Sequence, residues 1–180
     1  QSIPKRCGHL ADKTLVSAEE MVGKIKAAVD SRLNRETLII ARTDAVAVEG
    51  LAAATDRAGL YAQAGADMLF IEAPQDSAQL ALVGKVGEGH IPLMANMVEG
   101  GRTPVLSAGA LEALGFSLVI FPGGIVRALA RAAQDFYGTL ARDGQSNAFR
   151  DRMFDFEGLN RLLGTAGILA RGKRYEEGGR

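Results

Sequence analysis

Four short apolar runs, spaced roughly 25 to 30 residues apart, most constrain how this chain can fold. They cover residues 38–41, 68–71, 93–95 and 118–121. Each run is too short for a helix and is continuously apolar, as expected of strands that are covered on both faces. Segments with helical spacing separate the runs, so the pattern predicts helices alternating with the strands of a parallel sheet.

Two of these segments begin with helix-capping signals. Ser17 followed by Glu20 forms a capping box, in which the hydroxyl and carboxylate groups satisfy backbone N–H groups at the start of a helix. Thr103 followed by Pro104 is typical of another helix start, because proline is pre-set for the first helical turn. Both positions therefore predict helices immediately after them.

The last third of the chain is predicted to be helical. Residues 125–140 keep apolar side chains at helical spacing and predict a long helix ending near Gly144. A shorter helix is expected over 156–163. Residues 172–180 are charged and rich in glycine, and we expect them to fray.

Composition indicates one globular domain and excludes several classes of partner. The 180 residues carry 21 basic and 21 acidic side chains, 47% are hydrophobic, and no linker or change of composition interrupts them. We therefore predict a single domain over 1–180, with βα units in 1–145 and a helical extension in 146–180.

The basic residues are scattered and form no positively charged patch that would bind nucleic acid. No apolar run is long enough to span a membrane and no signal peptide is visible, so a cytoplasmic location is expected.

Polar side chains follow three successive strands of the predicted sheet. Arg42, Glu72 and Asn96 each stand just beyond the carboxyl end of a strand. Polar residues are common at strand ends, but the ends of parallel strands converge on one mouth, where functional groups gather. Arg42 could bind a carboxylate, Glu72 a cation or a hydroxyl group, and Asn96 a carbonyl or a hydroxyl group.

A pair of glycines precedes the longest predicted helix. Gly123 and Gly124 leave the amino end of that helix open to an anion, and Arg127 lies one turn further on. Paired glycines also serve plain tight turns, and an arginine on a helix is commonly just exposed to solvent. The anion site is one interpretation of this segment and the tight turn is the other.

The only cysteine lies in a basic segment near the amino end, Pro4-Lys5-Arg6-Cys7-Gly8-His9. A lone cysteine is more often a small buried hydrophobic residue. This one has cationic neighbours, which favour the thiolate form, and it could act as a nucleophile or as a general acid or base. One cysteine cannot form an internal disulfide, and the two histidines add no metal-site spacing.

These motifs together resemble the isocitrate lyase and phosphoenolpyruvate mutase superfamily, and the likeness runs to about residue 175. The segments that carry it are Lys5-Arg6-Cys7-Gly8-His9, Ile40-Ala41-Arg42-Thr43-Asp44-Ala45, Ala64-Gly65-Ala66-Asp67, Phe70-Ile71-Glu72-Ala73 and Ala95-Asn96-Met97-Val98-Glu99-Gly100-Gly101. Each motif is weak alone, and the set is specific.

The resemblance implies a (β/α)₈ barrel of the phosphoenolpyruvate mutase type that depends on Mg²⁺ and acts on 2-oxo or 2-hydroxy acids. It implies that Cys7 is the catalytic residue, transferring a proton to or from the methyl carbon of pyruvate, in a loop that closes over the substrate. It also implies that Glu72 supports the metal through water. The substrate-binding residues implied are Lys5, Gly8, His9, Arg42, Glu72, Asn96 and Arg127.

The length of such a barrel sets a further expectation. A complete barrel needs about 250 residues, so the resemblance implies that this chain holds only the second half, strands five to eight with the carboxyl-terminal helices. The main metal-binding acids are then expected upstream of Gln1. Members of the family also form homotetramers, which we expect here.

The predicted function is a Mg²⁺-dependent carbon–carbon lyase that releases pyruvate from a 2-methyl or 2-hydroxy di- or tricarboxylate. Residues 96–101 are more similar to carboxyphosphonoenolpyruvate mutases and dimethylmalate lyases than to methylisocitrate lyases. A phosphorus–carbon mutase is therefore one alternative. The other, of a different class, is an inactive half-barrel that does not turn over alone.

Overall fold

Helices and strands alternate along the first part of the chain, as the spacing of the apolar runs predicts. The computed structural model describes residues 1–7, 12–87 and 91–177. The elements are α1 (Ala18–Ser31), β1 (Ile40–Thr43), α2 (Leu51–Gln63), β2 (Met68–Ile71), α3 (Ser77–Val86), β3 (Met94–Asn96), α4 (Ala108–Ala113), β4 (Leu118–Ile120), α5 (Gly124–Asp143), α6 (Phe156–Leu162) and α7 (Thr165–Glu177). Short 3-10 helices occupy Ala45–Ala47 and Asn147–Arg152.

The contacts divide the chain into two compact units, Gln1–Ile125 and Val126–Arg180. The first unit holds all four strands, and the second consists of helices. The single domain expected over 1–180, with βα units up to residue 145 and a helical extension after it, stays a prediction.

The four strands are parallel and neighbour one another in chain order. β1 pairs with β2 and β3 pairs with β4, while a bridge between Leu69 and Leu93 joins the two pairs. The amide N–H of Leu69 donates a hydrogen bond of 3.0 Å to the carbonyl oxygen of Pro92 at that joint. A βα barrel requires this consecutive order, whereas the strand order of a doubly wound sheet reverses. The predicted α/β class is confirmed.

One face of the sheet is covered by helices, and the other is covered only at its centre. Leu69 and Ile71 of β2 join the main core with residues of the helices. The opposite face presents a small cluster of Met68, Phe70 and Met94. Because side chains alternate along a strand, β2 is buried on both faces, as the continuous apolar run predicts.

The expectation of full burial is wrong for the first and last strands. Ile40 lies opposite Met68 in the register and Leu118 lies opposite Met94, on the face away from the helices. Their exposed fractions are 42% and 38%, against 8% for Met68. The two outer strands lack a neighbour on one side, so apolar side chains on this face stay open to solvent.

The helix starts agree with one of the two capping predictions. Ser17 Oγ accepts a hydrogen bond of 3.1 Å from the amide of Glu20, which confirms the helix start and the hydroxyl half of the capping box, while the Glu20 carboxylate pairs with Lys24 at 2.6 Å. The prediction of a helix directly after Thr103 is wrong, because α4 begins at Ala108. Its cap is the solvent-exposed Ser107, whose Oγ accepts from the amide of Ala110 at 3.2 Å, whereas Thr103 is buried.

The second unit confirms the long helix and corrects the end of the chain. α5 ends at Asp143, followed by Gly144 with φ +67°, and Asp155 caps α6 through the amide of Gly158 at 2.7 Å. Residues 172–177 were expected to fray, yet they form the last turns of α7. Their lysine, arginine and glutamate side chains have good helix propensity, which outweighs the glycine among them. Within the described ranges, no helix is both long and apolar enough to cross a membrane.

Arg57 of α2 ties the segment before α1 to the rest of the first unit. Its Nε and Nη2 atoms each donate to Glu49 at 2.8 Å, and its Nη1 atom donates to the carbonyl oxygen of Val16 at 3.0 Å. The hydrogen bonds from Arg57 lower the pKa of Glu49 against a smaller opposing effect of burial. The stability that this pair contributes should therefore depend on pH.

We expect Glu49→Gln to lower the free energy of unfolding by about 0.5 kcal/mol at pH 7, a small effect because solvent screens the pair. A carboxylate with a lowered pKa stabilises the folded protein at pH values above its ordinary pKa of 4.5. This contribution is lost as the pH falls through the pKa of the folded state. Urea unfolding should therefore show a smaller difference from wild type at pH 3 than at pH 7. An equal difference at both pH values would contradict the assignment, and Glu36→Gln on an exposed turn is the control.

Candidate active site

The polar residues predicted at the strand ends meet in one cleft of the first unit. Its volume is about 1160 Å³. Five of the predicted site residues line it: Lys5, Cys7, Arg42, Glu72 and Asn96. All four strands run in the same direction, so their carboxyl ends lie at one edge of the sheet and deliver these side chains together.

Three predicted site residues are not placed in this cleft. Gly8 and His9 lie outside the described residues. Arg127 belongs to the second unit, so its predicted role in carboxylate binding stays a prediction.

Arg42 is the central cation of the cleft. Its Nε and Nη2 atoms donate to the two carboxylate oxygens of Asp44 at 2.9 and 3.0 Å. Nη2 also lies 3.1 Å from Glu72 Oε2, and the guanidinium carbon stands 4.9 Å from the ring centroid of Phe70. These contacts fix the plane of the guanidinium group, which is about two-fifths exposed.

The charges around Arg42 shift its pKa and that of Asp44 in opposite directions. Burial lowers the pKa of Arg42, but hydrogen bonding to Asp44 and the charges of Glu72, Asp44 and Cys7 outweigh it, so the pKa is raised. Burial likewise raises the pKa of Asp44, but hydrogen bonds from Arg42 and Gln1 and the charges of Arg42 and Lys13 outweigh it, so the pKa is lowered. Asp44 and Arg42 are therefore both charged at neutral pH.

Glu72 and Asn96 form a hydrogen-bonded pair beside Arg42, in which Glu72 is buried and Asn96 is partly buried. Glu72 is 1% exposed, and the Asn96 Nδ2 atom lies 3.4 Å from each of its carboxylate oxygens. Asn96 Oδ1 is buried without a hydrogen-bond partner among the described residues. A buried acceptor without a donor is costly, so this atom is suited to a donor group on a ligand, such as a hydroxyl group.

The backbone after Glu72 is held in a strained conformation. Ala73 has φ +60°, in the left-handed region that residues with a side chain rarely adopt, and it is buried. Such strain persists only where the surrounding structure enforces it, and it clusters at functional sites. The conformation of Ala73 turns the chain sharply at the point where Glu72 enters the cleft.

Cys7 is exposed and lines the same cleft as Arg42. Of the predicted cationic neighbours, Lys5 and Arg6 also line the cleft, and Arg6 forms an ion pair of 3.6 Å with Asp12. Cys7 interacts electrostatically with Arg42, so the thiol lies near the side chain that is predicted to bind a carboxylate. The structure therefore brings the one thiol of the chain to the predicted substrate mouth.

The amino end of α5 already carries a carboxylate from the protein. A Cβ atom on residue 124 would lie 2.8 Å from Glu99 Oε1, so only glycine leaves room for this contact. A carboxylate at a helix amino end is stabilised by the helix dipole. The interpretation of Gly123 and Gly124 as a site for a ligand anion thus competes with Glu99, although Gly123 does line the cleft.

The described residues do not by themselves provide a Mg²⁺ site. No three histidine, cysteine, aspartate or glutamate side chains among them are grouped as metal ligands. The buried acids Asp44 and Glu72 both face Arg42, and Asp44 also faces Lys13. The role of Glu72 as an indirect metal ligand through water stays a prediction.

Sequence reasoning assigned no role to two buried charged residues at this site, Asp44 and Lys13. Asp44 could have been found, because residues two apart on an extended chain point to the same side, and Arg42 precedes it by two. Lys13 carries no local signal, since only the folded chain brings it to Asp44.

Known proteins were compared with the chain. The model of the family described as "Phosphoenolpyruvate phosphomutase" matches residues 5–140. The 2,3-dimethylmalate lyase of Eubacterium barkeri is 40% identical over 99% of this chain and 61% of its own length. The 2-methylisocitrate lyase of Vibrio cholerae is 42% identical over 85% of this chain and 51% of its own. The chain thus spans half to three-fifths of the length of these curated relatives.

Solved structures give the same result. A crystal structure of 2,3-dimethylmalate lyase, a member of the PEP mutase/isocitrate lyase superfamily, superposes with a TM-score of 0.83 at 32% identity, covering 95% of this chain and 56% of that one. Phosphonopyruvate hydrolase in complex with oxalate and Mg²⁺ superposes with a TM-score of 0.79 at 28% identity, covering 97% and 60%. The resemblance inferred from the motifs is confirmed.

Proposed function

Because the chain belongs to the phosphoenolpyruvate phosphomutase family, we propose that its protein is a carbon–carbon lyase that releases pyruvate from a 2-hydroxy-2-methyl di- or tricarboxylate. The observation that carries the proposal is that Cys7 shares one cleft with Arg42, Glu72 and Asn96. The relatives named 2,3-dimethylmalate lyase and 2-methylisocitrate lyase support this substrate class.

Arg42 binds the carboxylate on C2 of the substrate. Its planar guanidinium group matches a carboxylate in a way that the point charge of a lysine does not. Asn96 Oδ1, which is buried without a partner in the described part of the chain, accepts a hydrogen bond from the 2-hydroxyl group. These two contacts orient the bond between C2 and C3 toward Cys7.

The cleavage step moves two protons. In this step the 2-hydroxyl group turns from Asn96 Oδ1 to Glu72 and gives its one proton to that carboxylate, directly or through water, and its oxygen becomes the carbonyl oxygen of pyruvate. The C2–C3 bond breaks and its electron pair passes to C3. The carbon that takes a proton from the Cys7 thiol is therefore C3 and not the methyl carbon of pyruvate, which was the expectation from the family resemblance. The resulting thiolate is stabilised by Arg42, and the proton on Glu72 returns to Cys7 through solvent.

We further propose that the chain forms the second half of a (β/α)₈ barrel. Four consecutive parallel strands are half the number that such a barrel contains, and the curated relatives are longer than the aligned region. Mg²⁺ would then depend on residues beyond those described, because the described acids do not form a metal site. The tetrameric state stays a prediction.

The test is a coupled pyruvate assay on the full-length protein with 2,3-dimethylmalate and 2-methylisocitrate, in Mg²⁺ and in excess EDTA. Pyruvate from either substrate, lost in EDTA, is expected. Absence of pyruvate from both substrates would count against the lyase. Phosphonopyruvate followed by ³¹P NMR is the parallel arm, because conversion of its phosphorus–carbon bond would identify a mutase instead.

The 180-residue chain alone is the second arm of the same assay. Half of a barrel leaves sheet edges and an apolar face uncovered, so we expect this chain to show no turnover. Mg²⁺-dependent activity from these 180 residues would contradict the half-barrel proposal.

A further inference from the structure

A fully buried ion pair lies beneath Arg42 and has no part in the cleavage step. Lys13 Nζ lies 3.6 Å from Asp44 Oδ1, and the two side chains are only 1% and 3% exposed. Burying charges is unfavourable unless they are paired and hydrogen-bonded. The Asp44 carboxylate satisfies this condition through Lys13 and Arg42 together.

Asp44 determines how the Arg42 guanidinium is presented to the cleft. The carboxylate accepts from Nε and from Nη2 in a two-point contact, and Nη2 also reaches Glu72. One edge of the guanidinium group is thus held by the protein. The contacts found among the described residues use Nε and Nη2, so Nη1 is the nitrogen that can donate to a substrate carboxylate.

Lys13 links the Asp44–Arg42 pair to the part of the chain that carries Cys7, which lies between Ser2 and Thr14 in the sequence. The amide of Ser2 donates to the carbonyl oxygen of Thr14 at 2.8 Å, and the two hydroxyl groups of these residues are also in contact. Ser2 and Thr14 therefore lie side by side, and Cys7, which stands between them in the sequence, lines the cleft. Lys13, next to Thr14, attaches the base of this segment to Asp44.

We propose that Asp44 and Lys13 are positioning residues: Asp44 holds the guanidinium group of Arg42, and Lys13 holds Asp44 while attaching the base of the Cys7 segment to it. The inference rests on the proposed function, in which Arg42 binds a substrate carboxylate. Asp44 borders the cleft and Lys13 does not, and each acts through Arg42.

Steady-state kinetics of the full-length protein test the proposal. We expect Asp44→Asn to raise KM about tenfold or more, with kcat changed by less than about threefold, because carboxylate binding is lost equally in the ground and transition states. Lys13→Met should raise KM by a smaller factor. The double variant should be no worse than Asp44→Asn, since Lys13 acts through Asp44.

Asp67→Asn is the matched control. Asp67 forms an ion pair of 2.7 Å with Arg32 at the amino end of β2, away from the cleft edge. This variant should lose stability with an unchanged KM. If Asp44→Asn does not fold, Asp44→Glu keeps the charge with altered reach, and its KM should still rise.

The outcomes separate the two proposals. Wild-type protein that neither releases pyruvate nor binds oxalate in calorimetry would overturn the proposed function. Active wild-type protein, with KM unchanged in the Asp44 and Lys13 variants, would overturn the positioning role alone. Effects that add in the double variant would also overturn it.

Discussion

Replacing Cys7 with serine is expected to lower kcat for pyruvate release by about 10²–10⁴-fold, the contribution of a general acid to catalysis. Serine keeps the size and position of the side chain, but its hydroxyl group is far less acidic than a thiol. Cys7 is exposed at the cleft, so its side chain adds little to the packing of the core. Stability and oxalate binding should therefore be unchanged, and steady-state kinetics with calorimetry would show this.

Alkylation gives an independent control for the Cys7 prediction. Cys7 is the only cysteine in the chain, so in the 180-residue chain iodoacetamide has one thiol to modify. In the full-length protein, labelling of Cys7 and loss of activity should advance together, and saturating oxalate should slow both. A Cys7→Ser variant that keeps more than half of the wild-type kcat would contradict the assignment.

Gly84→Ala is expected to lower the free energy of unfolding by about 3 kcal/mol, the range of a forced overpacking. Gly84 lies in α3, and a Cβ there would stand 1.8 Å from the carbonyl oxygen of Leu114, at the end of α4. That oxygen belongs to the backbone, so the two helices must separate to admit a methyl group. Urea unfolding of the variant would measure the loss.

Gly59→Ala is the matched control for this effect. Gly59 also lies inside a helix, α2, but a Cβ at this position meets nothing within 4 Å. Alanine should stabilise that helix by about 0.5–1 kcal/mol, because it restricts the unfolded chain. Equal effects of the two substitutions would show that α3 and α4 do not approach as closely as described.

Much of the site could be predicted because it depends on strand direction alone. Arg42, Glu72 and Asn96 each follow a buried apolar run, and parallel strands must bring their carboxyl ends together. The place of Cys7 in the same cleft followed from the family resemblance and not from periodicity. Lys13 could not be predicted, since its partner lies thirty-one residues away and neither residue type nor spacing indicates the contact.

The errors in the fold predictions also have physical causes. Thr103 and Ser107 are both good capping residues, and only the folded chain shows that Thr103 is buried while Ser107 is exposed. The apolar runs at 38–41 and 118–121 predicted burial on both faces, which requires neighbours that the outer strands do not have here. Residues 172–177 show that glycine and charge do not exclude a helix.

In the proposed reaction, Cys7 protonates C3 of the substrate when the C2–C3 bond breaks in the cleft that Arg42 lines. The most direct test is cleavage of 2,3-dimethylmalate by the full-length protein in deuterium oxide, with both products analysed by NMR and mass spectrometry. We predict equal amounts of pyruvate and propanoate, with one deuterium on the propanoate carbon next to its carboxylate, and almost no product from Cys7→Ser. The same labelled propanoate formed at an equal rate by Cys7→Ser, or no cleavage by the wild-type protein, would contradict the claim.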